Sequence, residues 1–579
     1  MKHTELKKTA AALMAILTVS AFSADAIAAA KTTSKTADTS SFSMRLYYPE
    51  VSGKYSNGKA VISWDKVPNA SKYYIYRSEN GGKFKFIKTV SKLTFTDSSV
   101  KSDNTYEYKV YGVCRRDHKT YYSSPSEVVA FEIDSKGDAT IDVYDVPFDY
   151  GKPDRKNVTD DEDEEEEELV EEFEEEADDY DYDEYEEYEE EEYAEDVSLG
   201  AGVDYEPAVT TAAAPTNGSE KDEEEPSKYY YGGNDTITAG TLTAGRIDDK
   251  KKYNDFIKAI GEMRENEDSD WYDSTYLFNW TDPLDRYTIN VTNGKENIEG
   301  ATAELLDAKG KPVFSAVTDN KGRAYLFPGV STCEAVTIRV TSPDGKSTYK
   351  KELSKMKGNT LKVTFAKASN SGKKLDIMFM VDTTGSMSDE LEYLQAEIDD
   401  VIGRVAKGND NIPIRTSVNF YRDLGDEYVV RSFRFRNNVD TCKKSLSEQH
   451  ATGGGDFPEA VHTALDVAIN KHAWDEDSTK IMFLVLDAPP HKEVEKEYTQ
   501  AILDAARKGI RIIPVASSGI DTGSEYILRS AATITGGTYI YLTDDSGVGL
   551  SHEKPHTDSL EVRKLNDLMV NVIDEYIAD

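Results

Sequence analysis

Apolar and polar positions change rhythm along this chain. Between residues 45 and 134 they alternate in short segments, AVISWDKV, KYYIYRSE, KFKFIKTV, LTFTDSSV, TYEYKVYGV and EVVAFEI, separated by turn clusters such as ENGG and SSPS. Period-two alternation between turns predicts half-buried antiparallel strands, and such a series predicts a β-sandwich. The rhythm returns over 285–366 in RYTINVTN, ATAELLDAKGKPVFSAVTDNKGRAYLFP, AVTIRVTSPDGKSTYKKEL and TLKVTF, which predicts a second sandwich. From 371 to 579 it changes character. LDIMFMVD, IRTSVNFYRD, KIMFLVLDA and RIIPVASSG are apolar on both faces and alternate with helical stretches such as SDELEYLQAEIDDVIGRVAKG and EAVHTALDVAINKH. Strands without a polar face need cover on both sides, so this part is expected to be a doubly wound, Rossmann-like α/β domain with a parallel sheet.

Between these units the pattern fades. Residues 150–235 contain the tract 160–196, with 27 acidic residues and no basic one, so the rest of the chain carries −13 of the net −40. Like charges at that density repel one another and bring too little apolar surface to offset chain entropy, so a disordered acidic linker is expected rather than a folded calcium module. The charge also argues against nucleic acid as a partner, since no basic patch is legible. Residues 236–284 offer one amphipathic candidate helix, KKYNDFIKAIGEM, and two tryptophans, Trp271 and Trp280, to which no function can be given.

Residues 1–30 place Lys2, Lys7 and Lys8 before an apolar run from Thr9 to Phe22 and small residues around Ala26, Ala28 and Ala30. This is the layout of a secretory signal peptide, and no other run is long enough for a membrane helix. A secreted, extracellular or cell-surface-associated protein is expected. The three cysteines, Cys114, Cys333 and Cys442, fall in three different predicted domains, so no disulfide framework is expected.

The chemistry concentrates at two strand ends. Ligands of open parallel sheets bind beyond the carboxyl ends of the strands. Asp382, in MFMVDTTGSMSDE, and Asp487, in FLVLDAPPH, both end such strands. With Thr384 and Ser386 they make a hard-oxygen set with no nearby histidine or cysteine, suited to Mg²⁺, Mn²⁺ or Ca²⁺. Asp382 alone could instead cap the following helix, and Ser388 is expected to do so.

Three resemblances bear on these units. The first sandwich resembles a fibronectin type III domain in its Trp64 strand, the run A-S-K-Y-Y-I-Y-R at 70–77, and Tyr106, Tyr108 and Val110 before a serine-proline strand. The sandwich expected over 285–366 is similar to the carboxypeptidase-regulatory or transthyretin-like type of extracellular β domain, which implies structure rather than chemistry. The C-terminal part resembles the von Willebrand factor type A domain, whose metal-ion-dependent adhesion site has the form Asp-x-Ser-x-Ser, a later Thr and a later Asp. Here the first part is Asp382-Thr383-Thr384-Gly385-Ser386, with Thr in place of the middle Ser, and the last part is Asp487. ATGGGDFPEAV offers Thr452 and Asp456 for the middle part. The resemblance implies a non-enzymatic adhesion protein whose cation accepts an acidic side chain from an extracellular or cell-surface protein ligand.

Other readings remain. HEKPH, residues 552–556, has the spacing of a zinc peptidase motif, but Pro555 lies within it and a helix is needed. DTTGS lacks the lysine of the pump sequence DKTGT, and ATGGGDFP lacks the Gly-Lys-Ser/Thr of a phosphate loop. A purely structural extracellular linker without metal-dependent binding is a further alternative.

Overall fold

The computed structural model describes Met44 and residues 47–116, 119–147, 237–265, 277, 280–330, 334–370, 372–409, 411–557 and 561–578. The expected signal peptide and the acidic tract lie outside the described residues.

The N-terminal unit is two facing sheets. Val51–Ser56, Lys59–Trp64 and Thr94–Asp97 form one. Lys85–Val90, Lys72–Glu79, Asn104–Arg116, Val128–Ile133 and Ala139–Tyr144 follow in that order in the other, with Lys119–Tyr122 also paired to Asn104–Arg116. The inward positions of the alternating segments, Ile62, Trp64, Tyr73, Ile75, Tyr106, Tyr108, Val110 and Phe131, fill the space between the sheets. Two polar groups cross the core together: Tyr108 donates to Asp97 Oδ2 at 2.8 Å, and Arg77 pairs with the same oxygen at 2.8 Å.

The α/β unit holds an eight-stranded sheet. Its elements in chain order are β1 (Thr243–Ile247), α1 (Tyr253–Glu265), β2 (Leu375–Asp382), α2 (Leu391–Gly408), β3 (Ile414–Tyr421), β4 (Val430–Arg431), α3 (Val439–Ser447), α4 (Val461–Asp466), β5 (Thr479–Leu486), α5 (Glu495–Lys508), β6 (Ile510–Ala516), α6 (Thr522–Thr535), β7 (Tyr539–Leu542), β8 (Val562–Lys564) and α7 (Leu565–Ile577). The sheet order is β4-β3-β2-β5-β6-β7-β1-β8, with β3, β2, β5, β6 and β7 parallel. The two-sided burial expected of β2 is visible residue by residue. Leu375, Ile377, Phe379 and Val381 pack with Leu394, Ile398 and Val401 of α2 and Leu568 and Val572 of α7, whereas Met378 and Met380 join the core holding Tyr498 and Ile502 of α5. Helices α5 and α6 stop at Gly509 and Gly536, which take the left-handed conformation that spares them a Cβ penalty.

Strand β1 comes from the segment to which the sequence assigned no role. It pairs antiparallel with β7 and with β8, so the sheet draws on residues more than a hundred positions before β2. At Gly245 a Cβ would collide with the ring of Tyr541, which is why glycine stands there. The second sandwich is therefore an insertion between α1 and β2. Its sheets run Arg323–Leu326, Tyr287–Thr292, Thr360–Thr364 and Pro312–Val317, Thr302–Leu306, Thr337–Thr341, Thr348–Glu352. Its core is continuous with one face of the large sheet: Val317 meets Gly509, and Trp280, just before the insertion, lies 5.4 Å from the Tyr498 ring.

The N-terminal unit also docks on the α/β unit. Arg436, 1% exposed, makes two bonds of 2.8 Å to the carboxylate of Asp145 and donates to Pro125 O at 3.3 Å. Thr441 donates to Glu127 at 2.7 Å, and Asn437 reaches Tyr48 and Glu50. Cys114 and Cys442 are free thiols, with Cys442 buried.

Candidate metal centre

Register places the two expected carboxylates side by side. Strand β2 lies between β3 and β5; Asp382 is level with Tyr421 on one side, and Val381 with Val485 on the other, so Asp487 follows two residues beyond Val485 at the same rim. Both are buried, at 0% and 4% exposure. Asp382 Oδ1 accepts from Thr384 N at 2.9 Å and Thr384 Oγ1 at 2.7 Å, and Thr384 Oγ1 lies 3.2 Å from Ser386 Oγ. The remaining oxygen, Asp382 Oδ2, is buried without a partner, and so is Asp487 Oδ1. The Tyr421 hydroxyl stands beside Asp382, near enough to favour its charged form though outside strict hydrogen-bond geometry.

Such an arrangement resists ionisation. Burial pushes the Asp382 carboxyl up to about 6 despite its bonds from Thr384. Burial and the neighbouring Asp382 hold Asp487 well above the usual carboxylate range, with a bond from Ser386 working the other way. The largest causes of either shift include no basic side chain. Two buried carboxylates at one rim of the sheet offer the charge and oxygens that a divalent cation could use.

Four of the six expected site residues, Asp382, Thr384, Ser386 and Asp487, thus come together. Thr452 comes beside them through its backbone, its N–H donating to Thr383 O at 3.0 Å, while its side chain is exposed. Asp456 is also exposed. The acid of this loop that the structure buries is Glu459, 2% exposed, three residues further on. Its carboxyl is pushed up to about 10, first by burial and then by Asp382, Asp423, Asp487 and Asp426. Sequence reasoning missed it because Pro-Glu before an apolar helix reads as an ordinary N-terminal turn. Ser388 is not the expected cap either. It lies in the 3-10 turn Gly385–Asp389, and α2 starts after Glu390 without a side-chain cap.

The HEKPH segment is irregular, not helical, and its two histidines turn to different acids. His552 bridges Glu390 and Asp544 at 2.8 Å each, whereas His556 meets Glu525 at 2.8 Å. Among the described residues no three His, Cys, Asp or Glu side chains form a metal-holding group. The fit to a cation rests on two carboxylates and hydroxyls, a set that hard cations take with water completing the shell.

For His552, burial disfavours the charge, but the bonds to Glu390 and Asp544 prevail and raise its pKa; for His556 the bond to Glu525 is the main cause. A raised folded value stabilises the fold fully below the unfolded pKa of about 6.5, and that stabilisation is lost as pH rises through the folded value. Thermal midpoints measured from pH 5 to 9 should fall more steeply above neutrality in the wild type than in His552→Ala. Parallel curves would show that the bridge contributes nothing.

Residues 376–547 match the von Willebrand factor A domain. The chain is 24% identical over 266 residues to the alpha-protein kinase vwkA of Dictyostelium discoideum, covering 45% of this chain and 42% of that one. It is 27% identical over 191 residues to a putative ariadne-like RING finger protein, R811, of Acanthamoeba polyphaga mimivirus, covering 29% and 18%. The chain thus spans less than half the length of the curated relatives it matches. Among solved structures, BatB from Bacteroides thetaiotaomicron is 12% identical, with a TM-score of 0.26 over 35% of this chain and all of that one.

Proposed function

We propose that this is a secreted or cell-surface binding protein that captures a protein ligand through a divalent cation held by its von Willebrand factor A domain. One observation carries the reading: Asp382 Oδ2 and Asp487 Oδ1 are buried at one rim of the sheet without partners. Asp382, Asp487, Ser386 and Thr384 would hold the ion, directly or through water. When bound, the cation supplies the positive charge these acids lack and a coordination position for an incoming oxygen. An acidic side chain of the partner suits that position. The fibronectin type III-like N-terminal unit and the inserted sandwich would act as spacers that present the rim, and a signal peptide over 1–30 would deliver the chain to the outside. The β-sandwich pattern of 45–134 and the run Thr9 to Phe22 support those two assignments.

The test is capture of surface proteins by the immobilised full chain, with and without chelator. Ligands should be retained in millimolar Mg²⁺ or Mn²⁺, lost on chelation and restored by re-adding the ion. Retention that ignores chelator would overturn the cation-dependent reading, and no retention in either condition would leave a linker role as the better one.

A further inference from the structure

Arg422 is a buried cation at a rim rich in acids, yet its two shortest bonds go to backbone carbonyls. It follows β3 directly and is 4% exposed. Its guanidinium forks between two loops, Nε donating to Thr383 O at 3.2 Å and a terminal nitrogen to His450 O at 3.0 Å. The other terminal nitrogen lies 3.5 Å from the exposed Glu427, and the group sits 4.4 Å from the centre of the Tyr428 ring. Asp423, the next residue, is engaged by His491 at 2.6 Å. A planar fork that reaches two carbonyls fixes them relative to each other, which the single ammonium of a lysine does not do.

Both carbonyls belong to loops of the candidate metal centre. Thr383 stands between Asp382 and Thr384 and is fully buried. Its own place is set by its N–H, which donates to Tyr421 O at 3.0 Å, and by its hydroxyl, 2.8 Å from that of Tyr428. The Thr383 carbonyl also accepts from Thr452 N at 3.0 Å, so one oxygen gathers Arg422 and the glycine-rich loop. His450, held by the other prong, lies two residues before Thr452. Gly385 N donates to Gly453 O at 3.1 Å and closes the same seam. Without Arg422 these two backbone bonds would still join the loops, but His450 O would lose the prong that ties it to Thr383.

We propose that Arg422 is a positioning residue of the metal centre: by stapling His450 O to Thr383 O it holds Thr452 where its hydroxyl serves the ion, directly or through water. The inference rests on the cation reading above and adds what sets the geometry of its middle segment. Charge alone would act the other way, because a guanidinium repels a divalent cation. The sign of the effect therefore separates positioning from electrostatics.

The probe is Mn²⁺, titrated by calorimetry into the full chain as wild type, Arg422→Gln, Arg422→Lys, Thr452→Ala, Arg422→Lys with Thr452→Ala, and Asp382→Ala. The last supplies the background of the acidic tract. Thermal midpoints without ion report folding, and Arg422→Lys, which keeps the charge and loses the fork, carries the test if Arg422→Gln does not fold. Each Arg422 variant and Thr452→Ala should lower affinity about tenfold, as loss of a group that orients metal ligands does. Once Thr452 is truncated, Arg422→Lys should cost less than about a further twofold, because its effect passes through that hydroxyl; a general loosening of the fold would add in full. If wild type binds better than Asp382→Ala, then affinity unchanged or tighter in the Arg422 variants, affinity unchanged in Thr452→Ala, or full additivity overturns this inference and leaves the cation reading standing. If wild type binds no better than Asp382→Ala, both fall.

Discussion

Asp382→Ala is expected to abolish specific divalent-cation binding while the sheet still folds. The carboxylate accepts from its own loop, through Thr384 N and Thr384 Oγ1, and beyond that loop it meets only the Tyr421 hydroxyl beside it. The apolar residues that build β2, from Leu375 to Val381, are untouched. Removing a charged ligand from a hard-cation site takes away both attraction and a coordination position. The consequence for stability is direct. A ligand at a hundred times its Kd stabilises the folded state by about 2.7 kcal/mol, so saturating Mn²⁺ should raise the thermal midpoint of the wild type and leave Asp382→Ala unmoved. In the absence of ion the mutant should be no less stable than wild type above about pH 6. The folded pKa of Asp382 is raised, so ionisation there costs folding free energy as pH climbs from the unfolded value near 4 to about 6. An ion-dependent rise of equal size in both proteins would assign the binding elsewhere.

Arg436→Ala is expected to release the N-terminal unit from the α/β unit. Burial opposes the guanidinium charge, but Asp145 holds it well above its ordinary range, and Asp145 itself is buried. Truncating one partner of a buried ion pair leaves the other uncompensated and costs about 3–5 kcal/mol. The 4.5 Å contact of Arg436 with the Tyr48 ring goes too. Small-angle scattering should show a larger radius of gyration for Arg436→Ala, and hydrogen exchange should quicken around Pro125 and Tyr48. Replacing both partners, as Arg436→Met with Asp145→Leu, should restore much of the docking, because no charge is then stranded. An unchanged radius in the single mutant would mean that Thr441, Asn437 and their partners hold the units without the pair.

The sequence displayed the strands that carry the site because each is apolar throughout. LDIMFMVD corresponds to β2 without a residue of drift, and KIMFLVL and RIIPVA coincide with most of β5 and all but the first residue of β6. Strand ends are also where topology puts ligands, so Asp382 and Asp487 could be paired before any coordinates. β1 could not be found in this way. TAGRI is short, contains a glycine and owes its strand conformation to β7 and β8, hundreds of residues away. Local pattern is blind to such pairing, and hence to the insertion of the second sandwich. It also fails at Glu459, whose burial depends on a glycine run folding flat against the Asp382 loop. An isolated 371–579 fragment would lack β1 and expose the edge of β7, so metal binding belongs on a chain that retains residue 237 onward.

The central claim is that the rim between β2 and β5 is a cation site. Crystals grown with Mn²⁺ and measured at the manganese absorption edge test it most directly. The account predicts one strong anomalous peak between Asp382 Oδ2 and Asp487 Oδ1, adjoining Ser386 and Thr384, and its disappearance in Asp382→Ala. Featureless density at that rim in saturating Mn²⁺, with Asp382 and Asp487 still facing one another, would contradict it.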